Sequence, residues 1–186
     1  MDLYLVEPIA PFALGANVAF NTFTTKQSVS PLPIPQIPAG KLRAGSIVKI
    51  EAEGEYGTTG TPTLVWGFFL GTHDGTATAA PTITTDIALS SAVTTPSGAA
   101  AFHWRMEWRG RVTKTGSSGT IVGCGTLEQG TSLTAQTSLP IPITQALRTV
   151  AINTTIANAI GVSATWGASS ASNTITTYDI SVLVLN

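Results

Sequence analysis

The chain has 186 residues, a size that fits one all-β domain, and 43% of them are hydrophobic, which is enough for a substantial core. Only 10% are charged, against about 25% in ordinary soluble domains, and Thr, Ser and Asn supply the polarity instead. The net charge of −1 gives no field for binding nucleic acid or an anionic membrane, and the single cysteine, Cys124, excludes an intramolecular disulfide and a cysteine metal site. A surface with so few charges favours association, so we expect the protein to work within an assembly.

The N-terminal part predicts an extended arm, one strand and a proline-rich connection. Two prolines oppose helix in residues 1–11, and residues 12–23 have the pattern of a first strand. The prolines of residues 31–38 favour an extended connection. This connection is either a stiff crossover that covers one end of a sandwich or a proline-rich recognition ligand.

Alternating hydrophobicity predicts the next strands. Residues 46–53 have an apolar face and a charged face that bears Glu51 and Glu53, and residues 63–70 are the next apolar run. Residues 72–101 are rich in Ala, Thr, Ser and Gly, and we expect a long exposed excursion there with at most one short strand.

The clearest alternation lies in residues 102–113. Apolar side chains, including Trp104 and Trp108, occupy the even positions, and the odd positions carry His103, Arg105, Glu107, Arg109 and Arg111. The pattern predicts a long strand with an aromatic core face and a charged outer face.

The remaining strands are expected near residues 120–127, 148–153, 160–166 and 174–185. A turn at residues 115–119 precedes the first of them, in which we expect Cys124 to be a buried, inert thiol. A proline-bearing link at residues 139–142 comes next, and residues 153–159 are a candidate for one helical turn.

Together these elements predict an all-β fold. We expect a single antiparallel β-sandwich of about eight strands, jelly-roll-like, with an extended N-terminal arm. Residues 1–36 would hold the arm, the first strand and the proline-rich link, and residues 37–186 the sandwich, as one domain overall.

A series of short motifs resembles a group of small virion proteins of tailed bacteriophages. It comprises residues 37–45 (Ile-Pro-Ala-Gly-Lys-Leu-Arg-Ala-Gly), 58–64 (Thr-Thr-Gly-Thr-Pro-Thr-Leu), 119–127 (Gly-Thr-Ile-Val-Gly-Cys-Gly-Thr-Leu) and 171–175 (Ala-Ser-Asn-Thr-Ile). The ordered series covers residues 37–186. The resemblance implies a jelly-roll subunit displayed on a capsid or tail as a trimer, and it brings no catalytic residues.

Few residues are suited to catalysis or metal binding. The two histidines, His73 and His103, exclude a three-histidine metal site, and no serine lies in a Gly-x-Ser-x-Gly pattern. Glu51, Glu53 and Glu55 share one strand face, as a glycoside hydrolase pair would, but an ordinary solvated face gives the same pattern. The sequence therefore predicts no enzyme, no catalytic residue, no metal and no cofactor.

A cluster of arginines predicts an interface. Arg105, Arg109 and Arg111 are three of only nine basic residues, and nucleic-acid binding would need a wider basic surface. Arginine is enriched at protein interfaces, so we expect these residues to form an oligomer interface, with Glu51 and Glu53 as cross-strand or cross-subunit partners. The alternative is an ordinary polar sheet face.

The resulting hypothesis is a virion structural protein that decorates the capsid surface of a tailed bacteriophage as a homo-oligomer, a trimer by resemblance, and stabilises the shell. Its partners would be further copies of itself and the major capsid protein or another virion protein, without nucleic acid or membrane. Residues of the N-terminal arm form the candidate capsid anchor, namely Leu3, Tyr4, Leu5 and Val6.

The alternative hypothesis is a tail-tip or fibre module that binds a receptor or carbohydrate. Residues 72–101 would be its binding loop, and Trp66 and Trp166 are candidates for stacking on sugars. The sequence shows neither a secretion signal nor a long apolar run, so either protein would be made in the host cytoplasm before it joins the virion.

Overall fold

Two antiparallel β-sheets make up the fold. The computed structural model describes residues 3–6, 23–76 and 79–186, which contain thirteen strands and one turn of 3₁₀ helix at Gln145–Arg148. The strands are β1 (Leu3–Val6), β2 (Gln27–Ser28), β3 (Gln36–Ile37), β4 (Ile47–Gly57), β5 (Thr63–Thr72), β6 (Thr82–Leu89), β7 (Val93–Thr94), β8 (Phe102–Lys114), β9 (Gly119–Ser132), β10 (Ala135–Ile141), β11 (Thr149–Ile152), β12 (Asn158–Trp166) and β13 (Thr174–Leu185). Over this part of the chain, no helix has the length and apolar character that crossing a bilayer requires.

The strands divide into a large sheet and a small sheet. The large sheet has seven strands in the order β1-β13-β4-β8-β9-β10, with β11 also paired to β9. The small sheet has six, in the order β2-β12-β5-β6, with β3 paired to β12 and β7 to β5. The two sheets pack together, which confirms the predicted all-β antiparallel sandwich. Jelly-roll connectivity stays a prediction.

The core between the sheets is filled by aromatic side chains. All four tryptophans are buried, Trp104 and Trp108 on β8 of the large sheet and Trp66 and Trp166 on the small sheet. Trp66 and Trp104 meet across the sandwich with their ring centroids 4.4 Å apart. The predicted core positions of Trp104 and Trp108 are confirmed, and the burial of Trp66 and Trp166 removes both from any sugar-stacking surface.

Trp108 accounts for one glycine on its own strand and one on the neighbouring strand β9. A Cβ atom at Gly110 or Gly123 would collide with the indole of Trp108, so the ring fits only because both positions lack a side chain. Since side chains alternate along a strand, the inward position of Gly123 turns Cys124 outward. The thiol of Cys124 is exposed, so the expectation of a buried thiol is wrong.

A buried hydrogen-bond network connects the two sheets. The indole Nε1 of Trp66 donates to Oε1 of Gln129 at 2.8 Å, and Nε2 of Gln129 donates to the Tyr56 hydroxyl oxygen at 3.4 Å. The Tyr56 hydroxyl in turn donates to the carbonyl oxygen of Gly130. Burial raises the pKa of Tyr56, although the hydrogen bond from Gln129 opposes the shift.

The proline-rich segment covers the outer face of the small sheet. Residues 29–35 connect β2 and β3, which both pair with β12. Between these pairings the segment places Ile34 against Phe69 of β5 and Ala159 of β12, and all three side chains are buried. The segment therefore covers a sheet face, whereas the sequence predicted a crossover over one end of the sandwich.

Three expectations for local structure are wrong. Residues 72–101 contain the eight-residue strand β6 as well as β7. Strand β6 is rich in threonine, and two register shifts in its pairing with β5 interrupt the alternation by which a strand is predicted. The link at residues 139–142 largely belongs to β10, an edge strand on which Pro140 is tolerated because one side of its backbone has no partner strand. In place of the predicted helical turn at residues 153–159, residues 153–157 form a turn and the last two begin β12; in the turn, the side chain of Asn153 accepts a hydrogen bond from the backbone of Thr155.

The N-terminal part contributes strands to both sheets. β1 is the end strand of the large sheet and pairs with β13, with Leu3 opposite Leu185 and Val6 opposite Val182. The predicted first strand, residues 12–23, lies outside the described residues except for Phe23, which is buried in the core.

Candidate functional site

The outer face of the large sheet is the candidate functional site. Four neighbouring strands, β13, β4, β8 and β9, form its centre, and their inward side chains fill the core. Their outward side chains are exposed or half-buried, whereas the corresponding face of the small sheet is covered by residues 30–35. We call this outer surface of the large sheet the open face.

All five predicted interface residues lie on the open face. β4 runs antiparallel to β8, so that Glu53 is directly opposite Arg105 and Glu51 is opposite Glu107. Arg109 is opposite Lys49. Arg111 lies beyond them on β8, where the neighbouring β4 residue is apolar.

Within the chain, the ion pairs on this face run along single strands and not across them, while the predicted cross-subunit pairing of Glu51 and Glu53 stays a prediction. Arg105 Nη2 binds Glu107 Oε1 at 2.7 Å, two positions along its own strand. Glu51 binds Lys49, also along one strand, so its partner is a lysine and not one of the arginines. These two pairs neutralise the middle of the open face from within the chain.

The residues beyond this middle are segregated by charge. At one end, Lys49, Arg109 and Arg111 give three positive charges, and their cross-strand neighbours on β13 and β9 are Leu183, Cys124 and Val122. We call the three cations the basic end.

The opposite end is acidic. Glu53 and Glu55 on β4 lie beside Asp179 on β13, and Glu128 on β9 lies opposite Arg105. We call these five residues the acidic end. Since Lys49 and Arg105 are already paired with Glu51 and Glu107, the charges outside these two ion pairs are the two arginines of the basic end and the four carboxylates of the acidic end.

The acidic end also holds a tyrosine on a β-bulge. Tyr178 lies where the pairing of β13 with β4 shifts register, between Thr177 and Asp179. Its hydroxyl donates a hydrogen bond to the Glu55 carboxylate, which together with smaller effects of burial and of the carboxylate charge raises the pKa of Tyr178 to about 12. Glu55 is thereby held at the edge of the acidic end.

The two ends are too far apart to neutralise one another. Arg109 and Arg105 are four residues apart on one strand, which corresponds to about 14 Å, and Arg111 lies about 20 Å from Arg105. The Debye length in 0.1 M salt is about 10 Å, so the attraction between exposed charges at this separation is largely screened. Each end therefore presents its own sign of charge at the surface.

Other parts of the surface offer less for a site. A depression of about 380 Å³ lies where the turn between β9 and β10 approaches the start of β8, and its lining includes His103 and the exposed Leu133. Within the described residues, no three His, Cys, Asp or Glu side chains are grouped so that they would hold a metal ion.

Comparisons with known proteins give no match. No protein-family model matches the chain, and neither does any curated protein or any solved structure. The fold class, a two-sheet β-sandwich with a charge-segregated open face, therefore comes from the chain's own structure. The resemblance to virion proteins of tailed bacteriophages stays a prediction.

The sequence indicated the open face but missed part of it. Glu128 and Asp179 complete the acidic end, and Lys49 belongs to the basic end. The alternation of β4 already placed Lys49 outward, but nothing local in the sequence indicates that β13 and β9 bring Asp179 and Glu128 beside Glu53 and Arg105. Such pairings depend on sheet register between distant segments.

Proposed function

We propose that this chain is a virion structural protein of a tailed bacteriophage that decorates the capsid surface as a homo-oligomer, a trimer by resemblance, and stabilises the shell. It is made in the host cytoplasm and joins the virion by binding copies of itself and the major capsid protein or another virion protein. The proposal involves no catalysis, cofactor, nucleic acid or membrane.

The distribution of charge carries this proposal. The chain has nine basic and ten acidic residues, and ten of these nineteen lie on the open face. Much of the remaining surface consists of Thr, Ser and Gly. A surface with so few charges favours association over a monomeric state in solution. A subunit whose few charges are gathered on one flat face is suited to docking by that face.

The candidate anchor residues, Leu3, Tyr4, Leu5 and Val6, fit this proposal through the position of their strand. In the described part of the large sheet, β1 is the end strand, with no partner on its far side. The free edge of a strand presents backbone donors and acceptors that can pair with a strand of another protein. We propose that β1 uses this edge on the capsid.

A receptor- or carbohydrate-binding module at the tail tip is the second candidate. The exposed Leu133 at the tip between β9 and β10, beside the depression that includes His103, is the feature that favours it. The two candidates differ in copy number, because a decoration protein covers the capsid whereas a tail tip holds only a few copies.

Copy number per particle is therefore the test. Particles from the cells that encode this chain would be purified and the chain quantified against the major capsid protein by mass spectrometry with isotope-labelled peptides. We expect on the order of hundreds of copies per particle, as the many equivalent positions of a symmetric shell require. Immunogold labelling with antibodies against the purified chain should then mark the head.

The contrary results are distinct. A few copies per particle with label at the tail tip would favour the receptor-binding module. Absence of the chain from purified particles, while it is abundant in the lysate, would overturn both virion proposals. A structural protein of the particle that is unrelated in sequence serves as the reference for recovery.

A further inference from the structure

We propose that the open face binds the open face of a second copy in antiparallel orientation, around a two-fold axis that lies between the two sheets and runs perpendicular to their strands. This inference rests on the self-association proposed above, which it assigns to the open face and to a two-fold arrangement of the two copies. The trimer implied by resemblance would use other surfaces.

The register of the strands gives the face a centre. Glu51 and Glu107 are opposite one another and form its middle row, and each is neutralised by an ion pair within the chain. Two residues away on one side is the row of Lys49 and Arg109. Two residues away on the other side is the row of Glu53 and Arg105, flanked by Asp179 and Glu128.

A two-fold axis over the middle row places rows of opposite charge against each other. Since Lys49 and Arg105 are bound to the glutamates of the middle row, the positive charge of Arg109 would lie over a row with the three carboxylates of Glu53, Asp179 and Glu128. The same operation repeats this contact at the other end of the interface, as it must in any two-fold dimer. Because this operation leaves each strand over its own copy, Lys49 would lie over Glu53, and Arg109 over Arg105, whose neighbours in the row are Glu53 and Glu128.

The outermost rows follow the same rule. Arg111 would lie over the row that contains Glu55 and His103, so that a positive row again meets a negative one. Arg105 at the acidic end and Lys49 at the basic end are each bound to a glutamate of the middle row, so the sign of each end comes from its other charged residues. Rows at equal distances on either side of the middle row therefore carry opposite charges. The face is complementary in charge to a second copy whose strands run in the opposite direction.

The alternative two-fold packing is unfavourable. If the axis ran parallel to the strands, every row would face its own copy, and Lys49, Arg109 and Arg111 would lie over the same three cations. Like charges in contact disfavour an orientation, so the charge pattern selects the antiparallel one. The same argument predicts an association that weakens as salt concentration rises.

The area of the open face suits a specific contact. Four strands about 4.8 Å apart, over ten residues that each advance about 3.4 Å, give about 650 Å² of flat area on each copy. Two such faces amount to about 1,300 Å², which lies at the lower end of the range of about 1,200–2,000 Å² for specific interfaces. The expected contact is therefore specific, but modest in affinity.

Charge-reversed variants test the proposal. The first variant carries Lys49→Glu and Arg109→Glu, and the second carries Glu53→Lys and Glu128→Lys. Each variant alone would place like charges against each other, so we expect the dissociation constant of self-association to rise by about tenfold or more in low salt. Mixed in equal amounts, the two variants have complementary faces again, and the affinity should return to within about threefold of the unaltered protein.

Analytical ultracentrifugation over a range of concentrations gives these constants, and native mass spectrometry reports whether the restored complexes contain both variants. Circular dichroism confirms that each variant folds. The matched control is Arg43→Glu with Arg148→Glu, which changes the net charge by the same amount as the first variant at two exposed positions off the open face. The control should associate like the unaltered protein.

The outcomes separate the inference from the proposed function. If the variants keep the unaltered dissociation constant, or weaken association without restoring it when mixed, the antiparallel contact is overturned while an oligomeric virion protein remains. If the control weakens association as much as the first variant, net charge and not this face is responsible, and the inference is again overturned. A protein that stays monomeric at every concentration would contradict the self-association in both proposals.

Discussion

The buried glutamine of the sandwich shows how single residues connect the two sheets. Gln129 comes from the large sheet, and its side-chain oxygen accepts the indole N–H of Trp66 from the small sheet. Both side chains are fully buried, so neither has water as an alternative partner. An unpaired polar group in such a place costs more free energy than an ordinary hydrogen bond contributes, and the pair therefore favours one alignment of the two sheets.

Replacing this glutamine tests the cost of the network. In Gln129→Leu the Trp66 N–H loses its acceptor and Tyr56 loses a hydrogen bond, so we expect the free energy of unfolding to fall by about 1–3 kcal/mol. Urea denaturation followed by circular dichroism measures this change. Gln136→Leu, at an exposed position on β10, is the control and should stay within about 0.5 kcal/mol of the unaltered protein. Equal stability of the two variants would contradict the role of Gln129.

At the scale of the element, a strand was predictable when one of its faces is buried and the other is solvated. The alternation of apolar and charged side chains along β8 predicted the ends of this strand to within one residue. It also predicted that Trp104 and Trp108 lie in the core. β6 was missed because bulges interrupt its pairing, and Cys124 was misplaced because Gly123 beside it takes the inward position against the Trp108 ring. Two of the five residues of the acidic end, Asp179 and Glu128, were missed as well, because the local sequence pattern does not specify the register between distant strands.

The proline-rich segment is a second element whose position the sequence only partly indicated. Its prolines predicted an extended connection, but the local sequence could not specify the surface on which it lies. Ile34 fixes it by packing against Phe69 and Ala159 on the outer face of the small sheet. Pro35 is buried beside Ile34, and its carbonyl oxygen accepts a hydrogen bond from the backbone N–H of Ile160.

Shortening the Ile34 side chain should loosen the segment. In Ile34→Ala we expect a loss of about 2–4 kcal/mol in the free energy of unfolding, because a buried isoleucine leaves a cavity when it is truncated. Hydrogen exchange read by mass spectrometry should also speed up in peptides covering residues 27–37. Ile143→Ala, at a position that is 46% exposed, provides the comparison and should change neither quantity appreciably. Unchanged exchange in Ile34→Ala would mean that the segment is held by its backbone pairings alone.

At the scale of the whole molecule, the two outer faces have different roles. The small sheet is covered by its own chain and is buried on both sides along β5 and β12. The large sheet has its core side occupied and its outer side free to carry the segregated charges. One side of the sandwich therefore supplies stability, and the other is available for association without disturbing the core.

Because both sheets share one core, the molecule should unfold as a single unit. Strand pairings join distant segments, for example Ile47 with Leu185, and neither sheet can keep its aromatic side chains buried without the other. We expect the urea transitions followed by far-ultraviolet circular dichroism and by tryptophan fluorescence to coincide, since the tryptophans lie on both sheets. Refolding should be slow for a chain of this size, on the order of milliseconds to seconds, because most pairings are non-local. Two separated transitions, at protein concentrations where association is held constant, would show that the sheets are stable independently and that the shared core does not determine the fold.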